Sequence, residues 1–226
     1  VADIYFVPSH LWHDSYIELD SSLYRRFIKV MRMQTGDIVA LTDGAGTYAE
    51  GKIDVKAKVI NLTEISHHED DRIPIDVYLP IIKGERMDWA IAKLGELGVR
   101  SITPVFTKRT VVKKWSDNKK ARCMSILASS LEVRRRFWLT ECKDARLFSD
   151  IYGQIDIFFD IDGQRPTTWH GSISVLIGPE GGLTDDEKSK LLSSGATAIS
   201  LGKGVLRAET AAIVGISIMA YVGGML

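Results

Sequence analysis

The 226 residues carry 29 lysines and arginines against 29 aspartates and glutamates, and 45% of the chain is hydrophobic. That composition excludes a disordered, collagen-like or disulfide-built chain, and the zero net charge says nothing about a polyanionic partner. Cys123 and Cys142 stand far apart without a CxxC pair, so no metal site is expected and both read as reduced thiols.

In chain order, a helical stretch at Ser21 to Met33 comes first. Short β-branched runs follow at Ile38 to Thr42, Thr47 to Ile53 and Lys56 to Thr63, separated by Gly36-Asp37 and Asp43-Gly44-Ala45-Gly46. Strands this short and close predict a small barrel or sandwich. The polar cluster Ser66 to Arg72 reads as a solvated linker, and its adjacent His67 and His68 as no metal site, because neighbours in an extended chain face opposite ways.

From Ile73 the pattern changes. Apolar runs at Ile75 to Ile82, Ser101 to Phe106, Ile155 to Ile161, Ile173 to Ile177 and Ala198 to Leu201 alternate with helical stretches at Arg86 to Leu97, Asp117 to Arg135 and Thr184 to Ser193, with a last helix from Glu209 onward. Strands alternating with helices predict a mostly parallel sheet covered on both faces. The apolar end from Ala211 to Leu226 is shorter than the roughly 20 residues a bilayer requires, so a core or interface helix is expected rather than a membrane span. No signal-peptide pattern opens the sequence.

Charge is unevenly distributed. Residues 1–72 hold 8 basic and 12 acidic side chains, whereas residues 100–146 hold 13 basic and 4 acidic ones. A basic segment in a neutral chain is either a solvated face or a dock for a polyanion.

Two glycine-rich segments each leave a strand and enter a helix. The first, LIGPEGGLTDDE, spans Leu176 to Glu187; the second, LGKGVLRAETAA, spans Leu201 to Ala212. Glycine permits close approach of backbone to a ligand, and ligands sit at the carboxyl ends of parallel strands. The first loop lacks the spacings of phosphate-binding loops, and Asp185, Asp186 and Glu187 would repel phosphate from the following helix. A phosphate-free ligand is therefore expected. Arg207 and Glu209, isolated charges before an apolar helix, pair with each other or serve the site.

These paired signatures resemble those of the SPOUT methyltransferases, and more closely the 16S ribosomal RNA uracil-N3 methyltransferase family. Val30-Met31-Arg32, Lys83-Gly84-Glu85-Arg86-Met87-Asp88, Glu96-Leu97-Gly98-Val99 and Thr107-Lys108-Arg109-Thr110 are similar to further marks of that family, so the likeness covers nearly the whole chain. It departs at Arg26, where the family commonly has histidine, and at Ser130-Leu131, where it has a Glu-Gln pair.

The resemblance implies an α/β protein: a PUA-like, RNA-binding β-barrel over residues 1–70 and a SPOUT domain with a trefoil knot over residues 73–226. It implies a cytoplasmic homodimer, free of membrane, that uses S-adenosylmethionine and acts on ribosomal RNA or the small ribosomal subunit. The cofactor residues would be Leu176, Ile177, Gly178, Pro179, Gly181, Gly182, Leu201, Gly202, Val205 and Leu206, with the end of the Ile155–Ile161 strand. Arg207 would stabilise a uracil anion, with Glu180 or Glu209 orienting it. RNA contacts are expected at Arg26, Arg32, Lys108, Arg109, Arg134 and Arg135, joined by Lys113, Lys114 and Arg136; Trp115 and Trp138 pack in a core or stack on bases. Ribose 2′-O-methylation by another SPOUT enzyme, or a noncatalytic RNA-binding assembly factor, are the alternatives.

Overall fold

A computed structural model describes residues 3–112 and 114–226; Lys113 lies outside them. The chain divides into two compact units, one of Val1–Asp71 with Leu131–Leu139, the other of Arg72–Ser130 with Thr140–Leu226.

The first unit contains β1 (Ile4–Phe6), β2 (Tyr16–Glu18), α1 (Ser21–Tyr24), β3 (Ile38–Thr42), β4 (Thr47–Asp54) and β5 (Val59–His67). The strands form one sheet in the order β1-β3-β4-β5-β2, parallel only between β1 and β3, and curled into a half-barrel. Phe27, Ile17, Leu41, Ile53 and Ile60 fill its core. In the turn between β3 and β4, Asp43 Oδ1 accepts from the N–H groups of Ala45 and Thr47 at 2.7 and 3.0 Å.

Three local readings differ from expectation. The helix predicted from Ser21 changes character after one turn: Asp20 caps it by accepting from Leu23 N at 2.8 Å, and Arg25–Val30 is a π-helix. Its wider turn carries Met31 N–H back to Arg26 O while Phe27 stays fully buried. The predicted third strand starts late, because Asp54 Oδ1 caps a turn through Lys56 and Ala57. His68 is packed rather than solvated: its ring stacks on Phe137 at 3.9 Å and its carbonyl accepts from Trp138 Nε1 at 2.9 Å.

The second unit holds β6 (Ile73–Pro80), α2 (Glu85–Leu97), β7 (Val99–Phe106), α3 (Asp117–Arg134), β8 (Glu141–Cys142), β9 (Arg146–Leu147), β10 (Ile157–Gln164), β11 (Ile173–Leu176), α4 (Asp185–Ser193), β12 (Thr197–Ile199) and α5 (Ala208–Val222). From Leu131, the end of α3 counts with the first unit. Every strand pair is parallel, in the order β12-β10-β11-β6-β7-β8, with β9 also on β7. Ile73, Ile75, Val77 and Leu79 bury one face of β6, and Tyr78 and Pro80 are buried on the other, so the strand is covered on both. Gly98 ends α2 in the left-handed conformation, φ 78°, and its N–H bonds Leu94 O at 3.0 Å.

α5 packs against α2 and β6 through Ala212, Ile216, Met219 and Ala220. No helix among the described residues is long and apolar enough to cross a membrane. Gly215 lets α5 approach β10: a Cβ there would lie 2.2 Å from the Phe159 ring. Gly215→Ala is therefore expected to destabilise the protein by about 1–3 kcal/mol through overpacking, measured as a lowered denaturant midpoint at unchanged slope.

Candidate cofactor and RNA site

Because β10, β11 and β12 run parallel side by side, the loops that follow them collect at one edge of the sheet. The loop after β11 and the loop after β12, with the end of β10, enclose a cavity of about 210 Å³.

The first loop is held at several points. Ile177 N–H bonds Tyr78 O at 2.9 Å, extending the strand ladder onto β6, and Gly182 N–H bonds Pro179 O at 2.8 Å with φ 70° at Gly182. Arg109 Nη1 donates to Gly181 O at 2.7 Å. At its far end Thr184 and Glu187 form the predicted capping box. Glu187 is buried; Oε2 accepts from Thr184 N at 2.8 Å, and Oε1 accepts from Lys108 N at 2.8 Å.

The second loop starts where Ser200 N–H bonds Gln164 O at 2.8 Å. Ser200 Oγ donates to Ile161 O at 3.0 Å and accepts from Gly202 N, and Gly202 takes φ 128°, which side-chain-bearing residues rarely adopt. The loop runs exposed to Arg207, whose extended backbone caps α5.

Seven of the ten predicted cofactor residues line the cavity: Gly178, Pro179, Gly182, Leu201, Gly202, Val205 and Leu206. Leu176 and Ile177 are instead fully buried in the sheet, and Gly181 turns toward Arg109, whose Cδ would meet an added Cβ at 3.3 Å. Phe159 and Asp160, at the end of the predicted Ile155–Ile161 strand, also form the wall, together with Lys188 and Ala211, which the sequence reading did not name. The strand motif IDIFFDI contains the first two; Lys188 and Ala211 lie one helical turn beyond Thr184 and Arg207, a spacing that could have found them.

Lys188 is the single cation among the lining residues, and Asp160 pairs with it. Burial pushes the Asp160 carboxyl up, but the Lys188 hydrogen bond and the Asp162 and Ile161 N–H groups outweigh it, so Asp160 stays below the ordinary 3.8.

The two candidate catalytic carboxylates do not meet Arg207. Both converge on Arg86 of α2: Nη2 donates to Glu180 Oε1 at 2.8 Å, and Nη1 lies 3.7 Å from Glu209 Oε2. The cause is geometric: Arg207 is outside the helix on extended backbone, whereas Glu209 sits in its first turn facing inward. Arg207 is exposed, with no partner for its guanidinium among the described residues.

The expected RNA residues are variously engaged. In the first unit both Nη atoms of Arg26 bind Glu132, at 2.8 and 2.6 Å, with the guanidinium over the Tyr5 ring. Arg135 pairs with Asp3 and Arg136 with Asp71; Arg134 is half-buried, and burial lowers its pKa. Arg32 is exposed at φ 59°. In the second unit Lys108 is exposed and Arg109 holds the first loop, while Lys114 O accepts from Lys119 Nζ at 3.0 Å. Trp115 is partly buried and its Nε1 has no hydrogen-bond partner among the described residues. Among the described residues no acidic, histidine or cysteine cluster fits a metal ion.

A parallel sheet with a cavity walled by two glycine loops defines a small-molecule-binding domain, and a family model described as an RNA methyltransferase domain matches residues 69–220. The ribosomal RNA small subunit methyltransferase E of Bacillus subtilis is 29% identical over 220 residues, covering 86% of this chain and 85% of the relative. The enzyme of the same name from Neisseria gonorrhoeae, solved with S-adenosyl methionine, is 25% identical with TM-score 0.82 over 98% of both chains. A Legionella pneumophila protein solved with the bound cofactor SAM is 25% identical with TM-score 0.87, again over 98% of both chains. The class is thus that of the RNA methyltransferases. Within it, the chain belongs to the ribosomal RNA small subunit methyltransferase E family.

The depressed Asp160 pKa fixes a sign. Its ion pair stabilises the fold above the unfolded value of 3.8 and is lost as pH falls through the lower folded value. Asp160→Asn is expected to cost about 1 kcal/mol at neutral pH, with the gap to the parent closing as pH falls below 3.8 in denaturant titrations.

Proposed function

We propose that this protein transfers a methyl group from S-adenosylmethionine to N3 of a specific uridine in small-subunit ribosomal RNA. The observation that carries this reading is the cavity between the two signature loops, in a chain whose relatives of this fold were solved with that cofactor.

The residues present fit such a cofactor. The charged lining residues are paired, Lys188 with Asp160 and Glu180 with Arg86, and outside the lining the first turn of α4 carries Asp185, Asp186 and Glu187. No unpaired cation among the lining residues awaits a phosphate, and the acids already complement the α4 dipole. Glycines at 178, 182 and 202 expose backbone groups for an adenine edge, and Leu201, Val205 and Leu206 supply apolar surface. When bound, the cofactor supplies an electrophilic methyl group on a sulfonium.

The protein's own part is to bind, orient and manage charge. Uracil N3 must lose its proton to attack, and the wall offers two carboxylates, Asp160, which Lys188 holds, and Glu180, which Arg86 holds. Arg207 cannot act as a base, but its unpaired guanidinium between the lining residues Leu206 and Ala208 is placed to stabilise an anionic uracil or an adjacent phosphate. Exposed Arg32 and Lys108 are candidates for RNA phosphates.

The remaining parts of the reading belong together. A homodimer is supported by exposed apolar residues on α2 and α5, Trp89, Val214 and Tyr221. Residues 1–70 would bind RNA and residues 73–226 catalyse, with the chain threaded in the family's trefoil knot. Action on ribosomal RNA would put the protein in the cytoplasm.

Calorimetric titration with S-adenosylmethionine should show saturable binding that is lost in Gly178→Val. Arg207→Ala should retain binding yet lose turnover about 100-fold on small-subunit RNA, with N3-methyluridine as the parent's product. RNA affinity should fall steeply with salt. A methyl group on ribose would point to the 2′-O activity instead, and RNA binding without methylation to an assembly factor.

A further inference from the structure

The two loops of the cavity each direct a carboxylate to one guanidinium that belongs to neither loop. Glu180 lies in the loop after β11 and lines the cavity; Glu209 lies in the first turn of α5, which the loop after β12 opens. Arg86, in the first turn of α2, donates to Glu180 at 2.8 Å and lies 3.7 Å from Glu209.

The two contacts differ in kind. The Glu209 side chain is 8% exposed and its Oε2 is buried with no hydrogen-bond partner among the described residues, so Arg86 balances its charge without bonding it. A buried carboxylate left without a cation is costly and would pull the start of α5 toward water. Glu180 is 31% exposed and would reorient into solvent at little cost if released. Without Arg86, therefore, one loop loses one of its anchors and the helix following the other acquires an unbalanced buried charge.

We propose that Arg86 is a positioning residue for methyl transfer: by bonding Glu180 while balancing buried Glu209, it sets the spacing of the two loops that form the cavity. This rests on the methyltransferase reading above. Arg86 does not line the cavity, so its effect reaches the ligand through Glu180 and through the first turn of α5.

The test separates positioning from bulk stability. Arg86→Ala is expected to raise KM for S-adenosylmethionine about tenfold and to lower kcat as well. Adding Glu209→Gln removes the unbalanced charge, so the double variant should regain the parent's melting temperature while KM stays raised. Arg86→Lys keeps the charge but replaces a two-armed fork with one point donor, and should restore stability with only part of the KM. Should Arg86→Ala fail to fold, the double variant and the lysine variant carry the same comparison. Kinetics within twofold of the parent in Arg86→Ala would overturn the proposal, as would a double variant whose turnover returns together with its stability. Titrating these variants with cofactor reads the loop spacing independently of RNA, so an inactive parent would count against the methyltransferase reading and leave the positioning test standing.

Discussion

The cavity depends on one buried carboxylate. Glu187 joins the start of α4 to the residue that follows Thr107 beyond β7, through Thr184 N on one oxygen and Lys108 N on the other. Hydrogen bonds to a charged acceptor contribute about 1.5–3 kcal/mol, more than those between neutral groups. Lys108 is followed by Arg109, whose side chain returns to Gly181 O, so a ring of contacts fastens the first loop at both its middle and its end. The loop then presents backbone without an internal ladder of its own, and its shape is set from outside.

Much of the fold was legible because parallel strands covered on both faces read as continuous apolar runs, and β6, β7, β10, β11 and β12 all carry such runs. What escaped notice was short: β1, β2, β8 and β9 have two or three residues each, too few for any periodicity to register. The π-helix at Arg25–Val30 was illegible for a different reason. Its residues are ordinary helix formers, and only the long-range demand of burying Phe27 while Arg26 reaches Glu132 distinguishes it. His68 reads as polar and solvated because its stacking partner, Phe137, is distant in sequence.

The site was legible where the chemistry is local. Glycine spacing and the capping box mark the two loops, and seven residues named from them line the cavity. It was not legible where charges pair between elements far apart in the chain. Two positions apart in sequence, Arg207 and Glu209 suggest a pair; in space Glu209 faces Arg86, more than a hundred residues earlier, and Arg207 has no partner among the described residues. No single-sequence rule connects a residue in the first turn of one helix to a carboxylate in the first turn of another. The same holds for Arg109, which its charge assigns to RNA and which its geometry assigns to the glycine loop.

The charge around the cavity also decides among ligands that share a purine nucleoside. Glu180 on the wall, a neutralised Lys188 and three acids opening α4 give the mouth no free cation among its lining residues. An adenine nucleotide has the same base and sugar as the proposed cofactor but ends in several negative charges. Lys188 is held by Asp160 and Glu180 by Arg86, so the lining residues offer those negative charges no unpaired cation, and selectivity would rest on a contact withheld from the competitor.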